Sequence, residues 1–349
     1  MTVTQVAAAP AGGKSPYRND SLLSLRGLAA FSVVCHHLGV GAFLAALTGI
    51  AMAGALAISG SYAVEIFFCI SGYLMAKILD RSYGPGHVGK FYWNRAARVL
   101  PTYYLAVAVT AALSWHTIGA NAWPILLLVD NYFFEPRLAN PALWSLSTEF
   151  QFYLIAPLVA ATIRIWRPAL VLLLLTALAV KILYFVGINR LSWEPREFVY
   201  MGLEANLIFF MSGWFGYVHR ARLPVLPPRT GLMIVTAVVA AVWLFHFTYI
   251  DNSFAGLCGS AAWMLVFPVA IGAMCILVLP SLDDGGSAGS LSSVDRVLYF
   301  LGVTSYSVYV LHMSYMTTVP ALLQLMFVYA AAFGVFVVFE RPLFRLRVV

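Results

Sequence analysis

Apolar residues run through this chain in long blocks, not in the strict alternation of exposed strands or the one-sided stripes of soluble helices. A helix needs about 20 apolar residues to cross the hydrocarbon of a bilayer. Ten such blocks can be drawn, roughly at 22–44, 60–79, 99–116, 142–163, 168–187, 200–218, 231–250, 255–279, 297–318 and 320–339. The pattern predicts an all-α fold, a polytopic transmembrane helix bundle of about ten spans with both termini cytoplasmic. Two stretches fit less well. Trp123–Phe134 (WPILLLVDNYFF) is too short to span and reads as an interfacial or re-entrant piece, and the small residues between Gly41 and Gly60 either extend the first helix or fold back.

The polar positions between the blocks test that count. With a cytoplasmic N-terminus and ten alternating spans, most of the 21 Lys and Arg residues fall on the cytoplasmic side, and Arg137, Arg190 and Arg196 fall opposite. That asymmetry is the one that orients membrane proteins. The expected organisation is a disordered cytoplasmic tail over 1–20, a transmembrane domain over 21–342 and a short cytoplasmic tail over 343–349. Ser281–Ser293 (SLDDGGSAGSLSS) is a flexible linker by composition. No internal repeat of the transporter kind is visible.

Composition agrees: 62% of the 349 residues are hydrophobic and only 10% are charged, far from a soluble domain. The net charge of +7 is spread beside apolar segments instead of forming one patch, which argues against a nucleic-acid partner and for membrane topology. The four cysteines, Cys35, Cys69, Cys258 and Cys275, sit in or beside apolar runs without metal or redox spacing, and no metal site is expected.

Ionisable residues inside the spans carry the functional signal, because a charge at bilayer depth costs on the order of 2.5–3.5 kcal/mol and persists for a reason. Arg26 and His37 on the first span lie eleven residues apart, within roughly 20° of one helix face and about 16 Å along it, whereas His36 is turned away. Counting depth along alternating spans puts His37, Glu65, Glu149 and His312 in one outer layer, with Ser147 near Glu149. A neutral histidine takes a proton from a hydroxyl at ordinary pH, and a carboxylate beside it would orient it; depth alone leaves open which one. Arg26, Arg95 and Arg98 gather at the opposite, cytoplasmic level and suit a phosphate-rich ligand, since guanidinium offers planar paired donors. Tyr92, Trp93, Tyr103 and Tyr104 read as an interfacial aromatic belt, and Lys181 with Glu204 as a structural ion pair on consecutive spans.

LRGLAAFSVVCHHL, VEIFFCISGYL, FYWNRAARVLP, LWSLSTEFQFYL and LGVTSYSVYVLH, in this order and spacing, resemble the motifs of the acyltransferase 3 family of integral membrane acyltransferases, from about Leu22 to Pro342. One departure is Glu65, where many members have Asp. The resemblance implies an O-acyltransferase that moves an acyl group, commonly acetyl, from cytoplasmic acyl-CoA to a sugar hydroxyl of a surface or exported polysaccharide. It implies an acyl-CoA donor, a carbohydrate or glycolipid acceptor, a lipid bilayer around the chain and no bound cofactor. The implied location is a bacterial-type inner (cytoplasmic) membrane, crossed several times. His37 and Glu149 are the expected catalytic residues, Arg26, Arg95 and Arg98 the expected donor-binding residues, and Glu65, His36, Ser147, Tyr306 and His312 possible supports. The sequence shows no appended extracytoplasmic hydrolase-like domain, so the stand-alone form is expected. A sugar-lipid transporter or flippase, and transfer to a small antibiotic-like acceptor, are the alternatives. Acceptor choice is expected in Ala120–Pro141 and Ile188–Tyr200, whose aromatic residues Trp123, Tyr132, Phe133, Phe134 and Trp193 could stack on sugar rings or anchor the membrane interface.

Overall fold

The computed structural model describes residues 21–49, 60–81, 85–118, 122–133, 140–194, 198–250, 254–284, 293–315 and 320–343. The expected tail over 1–20, all but Leu343 of the one expected over 343–349, most of the Ser281–Ser293 linker and Phe134 lie outside the described residues. The long helices are α1 (Ser21–His37), α2 (Val40–Thr48), α3 (Gly60–Arg81), α4 (Pro85–Ile118), α5 (Leu143–Ile165), α6 (Ala169–Arg190), α7 (Leu203–His219), α8 (Pro228–Tyr249), α9 (Phe267–Asp284), α10 (Ser293–Leu311) and α11 (Ala321–Val335). No strand occurs among the described residues, and eight of their helical segments are long and apolar enough to cross a bilayer.

The first and ninth expected spans are not among those eight. α1 is 17 residues long and stops at His37, where Gly39 takes a left-handed φ of 66° and the chain turns into α2. α10 has 19 residues and carries Asp295, Arg296 and a run of hydroxyl side chains. Both are shielded by neighbours, since α1 packs on α10 and on α3. A helix enclosed by protein need not be apolar all round.

Lipid offers helices no hydrophobic reason to associate, so close backbone packing does that work. α3 and α7 make the most extensive helix contact. A Cβ at Gly72 would collide with the Phe210 carbonyl, and one at Gly213 with the Cys69 carbonyl, so each helix presents its backbone to the other. α1 and α10 cross in the same way at Gly27 and Gly302. α6 and α11 lie at the periphery and leave Leu172, Leu175, Leu183, Met326 and Phe327 bare, the surface lipid would cover.

Several sequence expectations are corrected. α4 begins 14 residues before the expected third span, because the basic, aromatic stretch ahead of Val99 continues the helix. Trp123–Phe134 folds as a short helix, Ala122–Leu126, and a 3-10 turn, Asp130–Tyr132. Between them Leu128 holds a left-handed φ of 54° while its carbonyl accepts a hydrogen bond from Gln151 Nε2 at 2.8 Å. The far end of this piece is pinned inside the protein, while Trp123, Leu126 and Leu127 stay exposed: Asp130 and Asn131 are buried, Ser147 donates to Asp130, and Asn131 Nδ2 reaches Thr148 at 3.1 Å. Tyr103 is no interfacial residue either, being fully buried and donating to the Ile125 carbonyl at 2.8 Å. Ser281–Asp284, expected as linker, is the end of α9, where Asp283 pairs with Lys77.

Candidate active site

Four helices bring the site together. α1 supplies Arg26 and His37, α4 supplies Arg95 and Arg98, α5 supplies Ser145 and Glu149, and α10 supplies Tyr306 and Tyr309, with His312 in the 3-10 turn that follows. Between α1, α3, α5 and α10 lies a narrow cavity of about 30 Å³, lined by Arg26, Ser145, Glu149, Ser305, Tyr306 and Tyr309 against the apolar side chains of Val64, Phe67 and Phe68.

His37 and His312 do not line this cavity and reach it through Tyr309: His37 Nδ1 lies 2.8 Å from His312 Nε2, and His312 Nδ1 lies 2.7 Å from the Tyr309 carbonyl oxygen. A carbonyl only accepts, so His312 Nδ1 carries the hydrogen and, in the neutral ring, Nε2 is the acceptor. His37 Nδ1 must then donate, which leaves the lone pair on His37 Nε2. The linked chain therefore sets the tautomer of both rings. No carboxylate among the described residues bonds His37; the residue that orients it is a second histidine. Tyr309 serves the site twice, because its hydroxyl meets Ser145 Oγ at 2.5 Å on the cavity wall. His36 sits beside this chain, its ring edge-on to that of His37 with centroids 4.9 Å apart, and it packs against α3, where a side chain at Gly60 would strike its Cβ.

Glu149 belongs to the other end. Its Oε1 accepts hydrogen bonds from Ser71 and from Tyr153, the latter at 2.5 Å. Arg26, Arg95 and Arg98 lie within electrostatic reach of one another and of Tyr153, and Arg26 and Arg95 of Glu149 as well. The Arg95 guanidinium stands 5.9 Å from the Tyr153 ring centre, and its buried Nε has no hydrogen-bond partner. Three guanidiniums against two carboxylates, Glu149 and the buried Glu340, leave one positive charge in excess and an unused donor, a condition that suits an anion.

The common outer layer inferred from depth thus divides into three places. His37 and His312 form one and Glu149 with the arginines the second. In the third, the buried Glu65 faces Lys181, and its Oε2 has no hydrogen-bond partner. Lys181 therefore does not answer Glu204, which accepts instead from Tyr132 at 2.8 Å and Tyr184 at 3.0 Å. Ser147 is committed to Asp130, and Tyr306 donates to the Val99 carbonyl at 2.7 Å, so it ties α10 to α4 beneath the cavity. Sequence reasoning missed Glu340, which is buried, accepts from Ser307 Oγ at 2.5 Å and lies within electrostatic reach of Arg98 and Arg26. Its only signal was an acidic residue at the end of the last apolar block. Among the described residues no group of His, Cys, Asp and Glu side chains is disposed to hold a metal ion.

Comparison with known proteins gives relatives along the same stretch. The chain is 24% identical over 333 residues to the peptidoglycan O-acetyltransferase OatA of Listeria monocytogenes, a match covering 87% of this chain and 50% of that one. It is 25% identical over 326 residues to the putative peptidoglycan O-acetyltransferase YrhL of Bacillus subtilis, covering 82% and 47%. It is 34% identical over 155 residues to the acyltransferase MdmB of Streptomyces mycarofaciens, covering 40% and 39%. The chain thus spans about half the length, or less, of these curated relatives. No solved structure matches it. A family model described as an acyltransferase domain matches residues 19–340, the stretch that holds the cavity, the histidine chain and the arginine cluster, and the protein belongs to the acyltransferase 3 family.

Proposed function

We propose that this membrane protein moves an acetyl group from acetyl-CoA to a hydroxyl of a sugar in an exported or surface polysaccharide. The observation that carries the proposal is the Tyr309–His312–His37 chain, which leaves His37 Nε2 as a directed base. In the proposed reaction His37 Nε2 takes the proton of the acceptor hydroxyl as that oxygen attacks the thioester carbonyl. The new C–O bond forms, the C–S bond breaks, and the thiolate leaves with the proton returned from the imidazolium. Arg26, Arg95 and Arg98 would hold the donor's phosphates, which supply the anion their excess charge calls for. Glu149, held by Ser71 and Tyr153, would fix the arginines in place, and the narrow, largely apolar cavity would widen to take the donor's arm.

In this reading the arginine level faces the cytoplasm, ten crossings carry both termini to that side, and the surrounding membrane is a bacterial inner membrane. The basic helix ends and the bacterial relatives support it. Peptidoglycan and other cell-surface glycans are the acceptors to try first, given what the relatives are named for. The test uses the purified full chain in lipid nanodiscs with acetyl-CoA, following release of free CoA thiol with and without glycan fragments. Acceptor-dependent thiol release, lost in His37→Ala, is the expected result. Full release in that variant, or none from the native chain with any glycan offered, overturns the assignment.

A further inference from the structure

A second cavity, of about 330 Å³, opens where α3, α5 and α7 end, away from the acyl-transfer cavity. Its floor includes the buried Trp214 and Tyr217, and its rim carries Arg164, Arg167 and Arg220 with a single carboxylate, Asp80. Among the described residues that line it, guanidiniums outnumber carboxylates, which makes the rim basic. Arg220 is already set in place: its Nη1 donates to the Tyr217 carbonyl at 2.7 Å, its guanidinium lies 3.9 Å over the Tyr217 ring, and Asp80 is 4.0 Å away. A preset fork of this kind loses little freedom on meeting a phosphate.

The surroundings of the rim say what carries the phosphate. α5, which brings Arg164, leaves Leu158 and Ile165 exposed at 69% and 87% along its outer flank, and Trp166 follows at 52%. A soluble anion has no use for a bare apolar flank beside its site, whereas a lipid does. An exposed indole at the end of a span marks the headgroup level. Basic pockets between helices at the cytoplasmic end are where anionic headgroups settle.

We propose that this cavity binds the phosphate headgroup of an anionic phospholipid, held by Arg164, Arg167 and Arg220, with its acyl chains lying along Leu158 and Ile165. The site is independent of the acyl-transfer reading and stands or falls separately.

The experiment measures phosphatidylglycerol and phosphatidylcholine retained by the purified, delipidated full chain, by native mass spectrometry. Phosphatidylglycerol should be retained in preference. Arg167→Gln with Arg220→Gln should weaken that retention by about fivefold for each arginine removed. Asp80→Asn should strengthen it, a change of opposite sign that damage to the fold cannot mimic. Equal retention of the two lipids, or retention indifferent to all three substitutions, overturns the proposal. Displacement of phosphatidylglycerol by soluble ADP at matched phosphate concentration assigns the site to a soluble phosphate and overturns the lipid.

Discussion

A histidine with both ring nitrogens uncommitted is a mixture of tautomers, and only one of them is useful as a base. In this protein the choice is made 275 residues away in sequence, by a backbone carbonyl acting through His312. If that is the role of His312, its loss should act through His37. Replacing His37 with Ala should lower acyl transfer by about 10²–10⁴-fold. His312→Leu should lower kcat while leaving the donor KM unchanged, and His312→Gln should restore much of the rate, since its amide oxygen accepts from His37 Nδ1. The double variant should be no worse than His37→Ala alone, because groups acting as a unit do not add. Steady-state thiol release gives all four values. Arg26 and His37 were legible in the sequence because a charge and an imidazole stand out in an apolar run. Their partners were not: helix depth says how far a residue lies along the membrane normal and nothing about which neighbour its helix turns it toward. That is why Glu149, at a depth suited to His37, turns out to sit with Ser71, Tyr153 and the arginines.

At the scale of elements, the blocks of apolar sequence locate helices well because bilayer thickness fixes their length. They do worse at ends and at helices enclosed by protein, as the early start of α4 and the polar run of α10 show. Crossing points are invisible to hydropathy altogether. Gly72 and Gly213 look like any glycine in an apolar run, yet the α3–α7 contact rests on them. Gly213→Leu should force the two helices apart at a cost of about 1–3 kcal/mol or more. A lower melting temperature of the detergent-solubilised protein would register it. Gly334→Ala, on α11, meets nothing within 4 Å and should leave the melting temperature unchanged or slightly raised. Equal effects at the two positions would contradict the packing described. The Trp123–Phe134 piece is intermediate: its shortness marked it as unable to span, but the burial of Asp130 and Asn131 depends on Ser147 and Thr148 of a later helix.

For the whole molecule, the buried Glu65 of α3 and Lys181 of α6 lie within electrostatic reach of each other across the bundle, near the Phe209 ring of α7, which lies 5.8 Å from the ammonium. Adjacency of consecutive helices suggested Glu204 as the partner of Lys181; the fold instead brings back a helix from three spans earlier, information that no local pattern contains. Removing one member leaves an unopposed charge among apolar neighbours. Glu65→Gln or Lys181→Met alone should therefore destabilise by about 3–5 kcal/mol, and the two together by much less. A double-mutant cycle on melting or urea inactivation measures the difference, and additive losses would show that the charges are independent. The pair also bears on how the protein is made. α3 enters the membrane carrying Glu65 before α6 has been synthesised, so for that interval its carboxylate has no counter-charge. α6 is otherwise largely apolar, and apart from the Tyr184 hydroxyl on Glu204 it has little to fix its rotation about its own axis. Lys181 supplies it: the late helix docks with one face toward the early one, and the order of biosynthesis becomes part of what the final arrangement records.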